Sequence, residues 1–262
     1  MKKQITNSLT QEHPWANRIH WFDSIGSTNT EAKVMAQNGA PHGTVLIADR
    51  QTGGRGRMGR SFSSPPGMGI YLSVVLRPKC SAAELMHLTC AAAVAMCNAI
   101  ETAFGFRPGV KWINDLIANG KKLGGILTEL SLYPGSAAVD FAIVGIGINC
   151  HQTSDDFPPE IRDIAISLEN VIQKPADRVK LAAAMIQSLF EMDRKLLTEK
   201  QTIMDTYKAD CITLGQEIDL IRGEQRTPCC AIDLDQDGGL IVRYADGSVE
   251  AICSGEVSVR PR

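Results

Sequence analysis

The sequence lacks the features that would assign it to several specialised classes of protein. It has almost no excess charge, because 27 basic and 29 acidic side chains leave a formal charge of −2 at pH 7. That balance argues against a protein that holds nucleic acid by bulk electrostatics, although it leaves room for a local basic patch. Only 5 % of the residues are aromatic, but 44 % are hydrophobic. Such a composition excludes disorder as the main state and is typical of a soluble protein of one or two domains.

Long hydrophobic runs and a leader segment are also absent. The longest uncharged stretch, residues 85–100, is interrupted by polar side chains such as His87 and Asn98. It is too short and too polar to cross a bilayer, so we predict a buried helix there and no membrane contact. Because Lys2 and Lys3 are not followed by an apolar segment, no signal peptide is predicted.

The eight cysteines do not form a recognisable metal motif, because no two of them have the C-x-x-C spacing of a zinc site. Their even number leaves disulfides open as an alternative. However, Cys90 and Cys97 lie in or beside helix-like apolar sequence, and a chain of this length needs no covalent staples. We therefore favour reduced, buried cysteines in a cytoplasmic protein.

Periodicity divides the chain into three parts. Residues 1–18 are polar without periodicity, which predicts an N-terminal tail that is either loose or a short arm. Residues 19–214 alternate apolar strands with helical stripes and form the predicted main domain. Residues 215–262 consist of short alternating segments between turn clusters, which predicts a small C-terminal domain, an all-β barrel of SH3-like size.

Local signals place the elements of the main domain. Thr28 with Glu31 predicts a capping box at a helix start, and Asp177 is a predicted cap for a later helix. Gly39 is the expected left-handed residue after the first helix, and Asn119-Gly120 predicts a tight turn between strands. The predicted strands are 19–22, 44–48, 70–76, 110–112, 125–132 and 139–149, and the predicted helices are 28–38, 82–104 and 177–197.

Residues 51–60, which we call the Arg-Gly loop, are the first segment that carries chemistry. Its glycines leave the backbone free to approach a ligand, and Arg55, Arg57 and Arg60 supply fork-shaped donors for phosphate or carboxylate. No acid within the loop neutralises them. Because its many glycines make ordering the loop costly in entropy, we expect it to be mobile until an anion binds. A surface loop with nonspecific nucleic-acid affinity is an equally weighted alternative on composition alone.

Three further segments contain candidate site residues. Lys111 and Asp115 suit a cation for phosphate and a magnesium ligand, although a salt bridge at a turn is the commoner arrangement. Lys122 precedes Gly124-Gly125 and could reach into a site without steric blocking, or it could be a solvated hairpin residue. The glycines of residues 145–149 (GIGIN) lack the third glycine and the helix of a dinucleotide fingerprint, and we expect them to make room for a ligand packed against the strand.

Together these segments resemble the catalytic part of the biotin–protein ligases, also called biotin–[acetyl-CoA-carboxylase] ligases, over about residues 20–262. The motifs follow the order and spacing of that family: Ser27-Thr28-Asn29, GRGRMGR at 54–60, KWIND at 111–115, KKLGGIL at 121–127 and GIGIN at 145–149. The resemblance implies an α+β fold. It consists of a catalytic domain with a mixed β-sheet packed with helices, similar to class II synthetases, and a small SH3-like β-barrel after it.

The resemblance also implies an ATP-dependent reaction in two halves. The carboxylate of biotin attacks the α-phosphate of ATP to give biotinyl-5′-AMP and pyrophosphate, and a lysine of a biotin carboxyl carrier protein then takes the biotin and releases AMP. Lys122 and Arg57 are the implied catalytic residues, and Asp115 is the implied ligand of Mg²⁺. The implied biotin-binding residues are Ser27, Thr28, Asn29, Gln51, Arg55, Gly56, Arg57 and Lys122. The implied ATP-binding residues are Arg55, Arg57, Lys111, Asn114, Asp115 and Asn149.

Two departures from the family pattern affect these expectations. Ile113 stands where the family usually has proline, which removes no polar group, so we expect activity to be kept. Some members carry an N-terminal winged helix-turn-helix, and residues 1–18 are too few for one, so no sequence-specific DNA binding is expected. Both a monomer and a homodimer stay open.

Two other functions remain as alternatives. One is a lipoyl or octanoyl transferase of related fold, against which the complete Arg-Gly loop and the C-terminal module argue. The other is a non-enzymatic nucleic-acid-binding protein, against which the near-neutral charge and the lack of aromatic residues clustered near the loop argue.

Overall fold

A seven-stranded mixed sheet forms the centre of the main domain in the computed structural model, which describes residues 1–10, 12–253 and 258–261. Its strands are β1 (Ile19–Phe22), β2 (Thr44–Ala48), β3 (Gly69–Leu76), β4 (Gly109–Lys111), β5 (Asp115–Ala118), β6 (Lys121–Leu132) and β7 (Val139–Asn149). They lie in the order β1-β2-β3-β7-β6-β5-β4, and every neighbouring pair is antiparallel except β1 with β2.

Helices cover both faces of this sheet. They are α1 (Lys2–Ser8), α2 (Thr28–Gln37), α3 (Leu88–Phe104), α4 (Leu168–Ile172), α5 (Arg178–Lys195) and α6 (Lys200–Asp210). The main core lies between one face and the pair α3 and α5, whereas α2 packs on the opposite face. Successive side chains of β2 therefore point to opposite faces of the sheet: Val45 and Ile47 lie in the main core, and Leu46 packs on the side of α2.

The C-terminal part is a second, smaller sheet that is antiparallel throughout. Its strands are β8 (Glu217–Arg222), β9 (Gln225–Leu234), β10 (Leu240–Arg243), β11 (Val249–Ile252) and β12 (Ser258–Pro261), in the order β11-β10-β9-β8-β12. The predicted α+β architecture with a small β module is confirmed. Among the described residues no pairing joins β11 to β12, the two edge strands of this SH3-like module. Residues 254–257 and 262 of the predicted module lie outside the described residues.

The N-terminal segment is not the loose tail that was one of the two expectations, although residue 11 lies outside the described residues. It begins with α1, whose Ile5 is fully buried, and Trp15 is 98 % buried. The ring of Trp15 packs against Phe190 of α5, with ring centroids 5.5 Å apart, and it fills the space beside Gly43, where a Cβ would lie 2.2 Å from the ring. The prediction failed because isolated apolar residues without periodicity are buried here by contacts with distant elements.

Several local predictions hold, and one cap is different. The side chain of Asp177 accepts from the backbone N–H groups of Val179 and Lys180, as predicted for a helix cap. Asn119 and Gly120 both have positive φ, as a tight turn between β5 and β6 requires. The expected Thr28–Glu31 capping box is wrong, because Ser27 is the N-cap residue and no side chain caps this helix from within the motif.

The apolar run at residues 85–100 is a core helix, as predicted, although the helix begins at Leu88 after a 3₁₀ turn (Ala83–Leu85). By length and composition, residues 83–104 form the one helical stretch of the described chain that could cross a membrane, and 72 % of its most apolar window is buried inside the fold. The eight cysteines are all free thiols, as favoured. Their predicted burial is wrong for Cys253, which is exposed, and for Cys80 and Cys230, which are half-buried.

Candidate active site

The first turn of α2 forms a buried polar group with two other segments. Ser27, Thr28 and Asn29 are all at least 95 % buried. The backbone N–H of Thr28 donates to Gln51 Oε1 over 2.8 Å, so a distant glutamine satisfies one of the open donors of this helix start. The Ser73 hydroxyl of β3 lies 2.8 Å from Thr28 Oγ1 and 2.7 Å from Asn29 Oδ1. Four of the predicted biotin-binding residues therefore meet at one place.

Two glycines of β7 let other side chains lie flat against the sheet. A Cβ on Gly145 would stand 1.7 Å from Asn29 Oδ1, and a Cβ on Gly147 would stand 2.5 Å from the Phe62 ring. We expected these glycines to make room for a ligand packed against the strand. That expectation is corrected, since the chain's own Asn29 and Phe62 fill the space. The glycines thus serve the site indirectly, by admitting the residues that line it.

The Arg-Gly loop closes over the edge of this region and is held at several points. Phe62 donates its backbone N–H to Gly54 O over 2.9 Å, and Gly56 donates to Arg60 O over 2.7 Å. The guanidinium of Arg55 lies 3.2 Å from Glu129 Oε2. Glu129 of β6 thus supplies a neutralising acid, which the loop itself lacks. A cleft of about 270 Å³ lies under the loop and is lined by residues 55–60 and by Leu127.

Arg57 turns toward a different partner in the same region. Its Nη1 donates to Asn114 Oδ1 over 3.2 Å, and Asn114 in turn donates from Nδ2 to Ile126 O over 2.8 Å. Burial lowers the pKa of Arg57, and the charge of Asp115 partly opposes that shift. Arginine keeps its charge in proteins, so this guanidinium is a partly desolvated cation. Such a cation binds an anion more strongly than a fully hydrated one.

Lys122 and Asp115 form an ion pair beside these residues. Nζ of Lys122 lies 2.5 Å from Asp115 Oδ1, and the two side chains are 37 % and 27 % exposed. Asp115 is also the register partner of Lys111, since the two residues face each other on β5 and β4. Gly125 gives the lysine side chain more room, since a Cβ there would lie 3.3 Å from Lys122 Cε. This matches the prediction that a glycine pair lets a lysine enter the site.

Asn149, at the end of β7, fixes the backbone around Lys122. Its Nδ2 donates to Ile166 O over 3.1 Å, and its Oδ1 accepts from Gln152 Nε2 over 3.3 Å. Lys122 in turn donates its backbone N–H to Ile164 O and accepts from Ile166 N, so residues 164–166 run beside it like a short extra strand. Asn149 therefore acts on the position of Lys122 in this structure.

Hydrogen bonds with residues of the C-terminal third of the chain fix the KWIND segment. Trp112 donates its backbone N–H to Thr213 Oγ1 and its indole N–H to Gly238 O, over 2.9 and 2.8 Å. Tyr207 of α6 donates its hydroxyl to Ile113 O over 3.1 Å. Three distant positions thus fix the backbone from which the predicted ATP-binding side chains project.

Sequence reasoning missed two polar residues that the structure brings into the site, Ser73 and Glu129. Strand alternation held a signal for Glu129, because Gly125, Leu127 and Glu129 share one face of β6. Nothing in the sequence pattern pointed to Ser73. For a metal ion, the described residues contain no cluster of three or more histidine, cysteine or acidic side chains. Asp115 could supply one ligand at most, and phosphate oxygens would have to supply most of the others.

Comparison with known proteins gives two matching family models. The model of the biotin/lipoate A/B protein ligase family matches residues 21–149, and the model of the biotin protein ligase C-terminal domain matches residues 213–260. The second match falls on the smaller sheet.

Individual relatives cover most of the chain. It is 34 % identical over 240 residues to the bifunctional ligase/repressor BirA of Bacillus subtilis, covering 91 % of this chain and 73 % of the relative. It is 30 % identical over 238 residues to the biotin–[acetyl-CoA-carboxylase] ligase of Mycobacterium tuberculosis, covering 88 % and 85 %. Among solved structures, the biotin protein ligase from Aquifex aeolicus in complex with biotin and ATP is 30 % identical, with a TM-score of 0.78 over 94 % of this chain and 99 % of that one.

Proposed function

Since the chain belongs to the biotin/lipoate A/B protein ligase family, we propose that it is a biotin–protein ligase that forms biotinyl-5′-AMP and passes biotin to a lysine of a carrier protein. The main support from the geometry is the Lys122–Asp115 pair, which lies beside the cations of the Arg-Gly loop and the polar group of α2. A site that joins an anionic acid to a triphosphate needs such a group of cations, because it must offset the repulsion between its two substrates.

The adenylation half-reaction assigns a role to each charged side chain. A carboxylate oxygen of biotin attacks the α-phosphorus of ATP, and pyrophosphate leaves with the electron pair of the broken bond. Lys122 would exchange Asp115 for the biotin carboxylate and the α-phosphate as these groups come together. Arg57 and Lys111 would balance the charge of the phosphates. Because little covalent chemistry is asked of the protein, positioning supplies much of the rate.

The biotin end of the site would be formed by the buried polar group of α2. Ser27, Thr28, Asn29 and Gln51 offer donors and acceptors that already have fixed orientations through Ser73 and the backbone. Arg55 and Gly56 would close over the ligand from the loop. The acyl-adenylate is labile in water, so a loop that covers it protects the intermediate until the carrier lysine arrives.

Magnesium enters as part of the nucleotide substrate. Asp115 fits one position of a Mg²⁺ ion that is held mainly by phosphate oxygens, which is how this ion usually binds beside nucleotides. The ion would neutralise phosphate charge and assist the departure of pyrophosphate. For this role Asp115 would give up its bond to Lys122, so one movement would free both the carboxylate and the amine.

Biotin is favoured over lipoate or octanoate by two findings. The relative from Mycobacterium tuberculosis is named as a biotin–[acetyl-CoA-carboxylase] ligase, and the smaller sheet matches the model of the biotin protein ligase C-terminal domain. The nucleic-acid alternative is disfavoured because Arg55 and Arg57 are already bound to Glu129 and Asn114. The acceptor is proposed to be the biotin carrier of a carboxylase, the reaction partner named for the relatives, and a cytoplasmic location suits that partner and the free thiols.

The test is a mass-spectrometric assay of the intermediate. The protein is incubated with ATP and Mg²⁺ together with biotin, lipoate or octanoate. Biotinyl-5′-AMP should accumulate in the first reaction, with little acyl-adenylate in the other two. Formation of lipoyl-5′-AMP at a similar rate, or no adenylate from any acid, would contradict the proposal.

A further inference from the structure

Glu129 is an acidic side chain placed among residues that are proposed to bind an anion. It lies on β6 with 21 % of its side chain exposed, and it contacts both sides of the biotin end of the site. Its Oε2 accepts from Asn29 Nδ2 over 3.0 Å, and its two oxygens lie 3.3 and 3.2 Å from Arg55 Nη1. A carboxylate here repels the anionic substrates, so its position needs a physical reason.

The contact with Asn29 fixes which way that amide points. Asn29 Nδ2 donates to Leu127 O over 3.2 Å as well as to Glu129, while its Oδ1 lies 2.7 Å from the Ser73 hydroxyl. Both amide protons therefore have acceptors, and the carbonyl is directed toward Ser73. Without Glu129 one proton of a nearly fully buried amide loses its acceptor, and such a loss is costly enough to make the amide turn.

The contact with Arg55 ties the Arg-Gly loop to the same point. Arg55 is 45 % exposed, and Glu129 is the acid that the structure places against it. The pair joins residues 74 positions apart, and the Asn29 contact joins residues 100 positions apart. One carboxylate therefore couples the start of α2 to the loop that would cover the bound ligand.

We propose that Glu129 is a positioning residue, which holds the Asn29 amide and the Arg55 guanidinium in the relative arrangement that binds biotin. The proposal rests on the proposed function, in that biotin is taken as the ligand. Glu129 itself touches neither the reacting carboxylate nor the phosphate. It acts through Asn29 on the fixed side of the pocket and through Arg55 on the loop side, and its charge offsets that of Arg55 rather than that of the substrate.

Two substitutions separate the two contacts. Glu129→Gln keeps an oxygen that can accept from Asn29 but loses the charge that holds Arg55, whereas Glu129→Ala loses both contacts. We expect Glu129→Ala to weaken biotin binding about tenfold, the size expected when a hydrogen bond to a charged acceptor is lost, while KM for ATP changes much less. Glu129→Gln should restore the part of the biotin affinity that depends on the Asn29 contact. Biotin affinity is measured by calorimetry without ATP, and the KM values by pyrophosphate release.

A double-mutant cycle tests the Arg55 contact. In the wild-type background Arg55→Ala should weaken biotin binding, and in the Glu129→Gln background the same change should cost up to about fivefold less, which is the size expected for a half-exposed ion pair. Glu101→Gln is the matched control, since it removes an acid from another partly exposed arginine pair, with Arg107. It should leave both KM values unchanged.

The outcomes separate this inference from the proposed function. If the wild-type protein binds no biotin and makes no biotinyl-5′-AMP, the proposed function fails. If the wild-type protein is active, equal losses in biotin affinity, ATP affinity and kcat that Glu129→Gln does not rescue would show a merely structural role and overturn the inference. Additive effects of Arg55→Ala and Glu129→Gln would overturn the proposed role of Glu129 in holding Arg55. An unchanged biotin affinity in Glu129→Ala would overturn its proposed role in holding Asn29.

Discussion

Lys122 binds Asp115 of the neighbouring strand by passing over Gly125, which has no side chain. Asp115 is the register partner of Gly125, and Lys122 lies three residues before that glycine on the same strand. The hydrogen atom of Gly125 leaves the gap in which the lysine amine lies, 2.5 Å from Asp115 Oδ1. The ion pair is thus a consequence of the K-x-G-G pattern together with the register of β5 and β6. It holds the amine ready without burying it.

Removal of the Lys122 amine should stop adenylation with little effect on folding. We expect Lys122→Ala to slow biotinyl-5′-AMP formation by on the order of 3 kcal/mol, or about a hundredfold, since one preorganised charge on the reacting groups is lost. The ion pair is partly exposed and contributes no more than about 1 kcal/mol to stability. Pre-steady-state pyrophosphate release and thermal unfolding check the two parts. Lys121→Ala, on the neighbouring hairpin residue, is the control, and a Lys122→Ala rate within about threefold of wild type would remove Lys122 from the mechanism.

A methyl group at Gly125 should move the amine without removing it. In Gly125→Ala the new Cβ would stand 3.3 Å from Lys122 Cε, so the flexible end of the lysine would have to shift by a few tenths of an ångström. We expect adenylation to slow several-fold, because a small misplacement of a reacting group is costly. The biotin affinity measured without ATP should stay nearly the same. Wild-type adenylation kinetics in this variant would show that the gap at Gly125 has no bearing on the reaction.

The indole N–H of Trp112 should matter for the nucleotide rather than for biotin. Trp112→Phe removes the hydrogen bond to Gly238 O, a buried contact that joins the KWIND segment to the smaller sheet. Its loss should destabilise the protein by about 1–3 kcal/mol and raise KM for ATP, because an acceptor is left unsatisfied and the segment can shift. Trp21→Phe is the matched control, since the Trp21 indole bonds only to the exposed Asp23 in the described contacts. Equal behaviour of the two variants would contradict the expectation.

The Arg-Gly loop should show graded protection from hydrogen exchange. Five amides of the loop already donate to backbone oxygens and should exchange slowly even without ligand: those of Gln51, Thr52, Gly53, Gly56 and Arg60. The amides of residues 54, 55 and 57–59 should become protected when biotin and ATP are added, because the anionic adenylate gives the arginines a further partner. Mass-spectrometric exchange with and without the two substrates measures this. A loop that is equally protected in both states would argue against closure over the ligand.

Strong local patterns made part of this structure predictable. The boundaries of β2 and β7, the cap at Asp177 and the turn at Asn119-Gly120 follow from signals that lie within a few residues of one another. The candidate site was also predictable as a set of motifs, because glycine, arginine and lysine at fixed spacing carry their chemistry in the chain itself. Short-range sterics and hydrogen bonding decide such features, so the sequence by itself determined them.

Sheet order and packing decided the rest. Nothing near Arg55 in the chain foretells Glu129, and the two meet only because β6 and the loop come together in the folded domain. The same holds for Thr28, whose polar groups turn to Gln51 and Ser73 instead of capping their own helix, and for Trp15, which is buried by α5 although its segment has no periodicity. The space beside Gly145 and Gly147 is likewise filled from distant parts of the chain. These contacts depend on which surfaces the completed core brings into register, and local sequence does not encode that information.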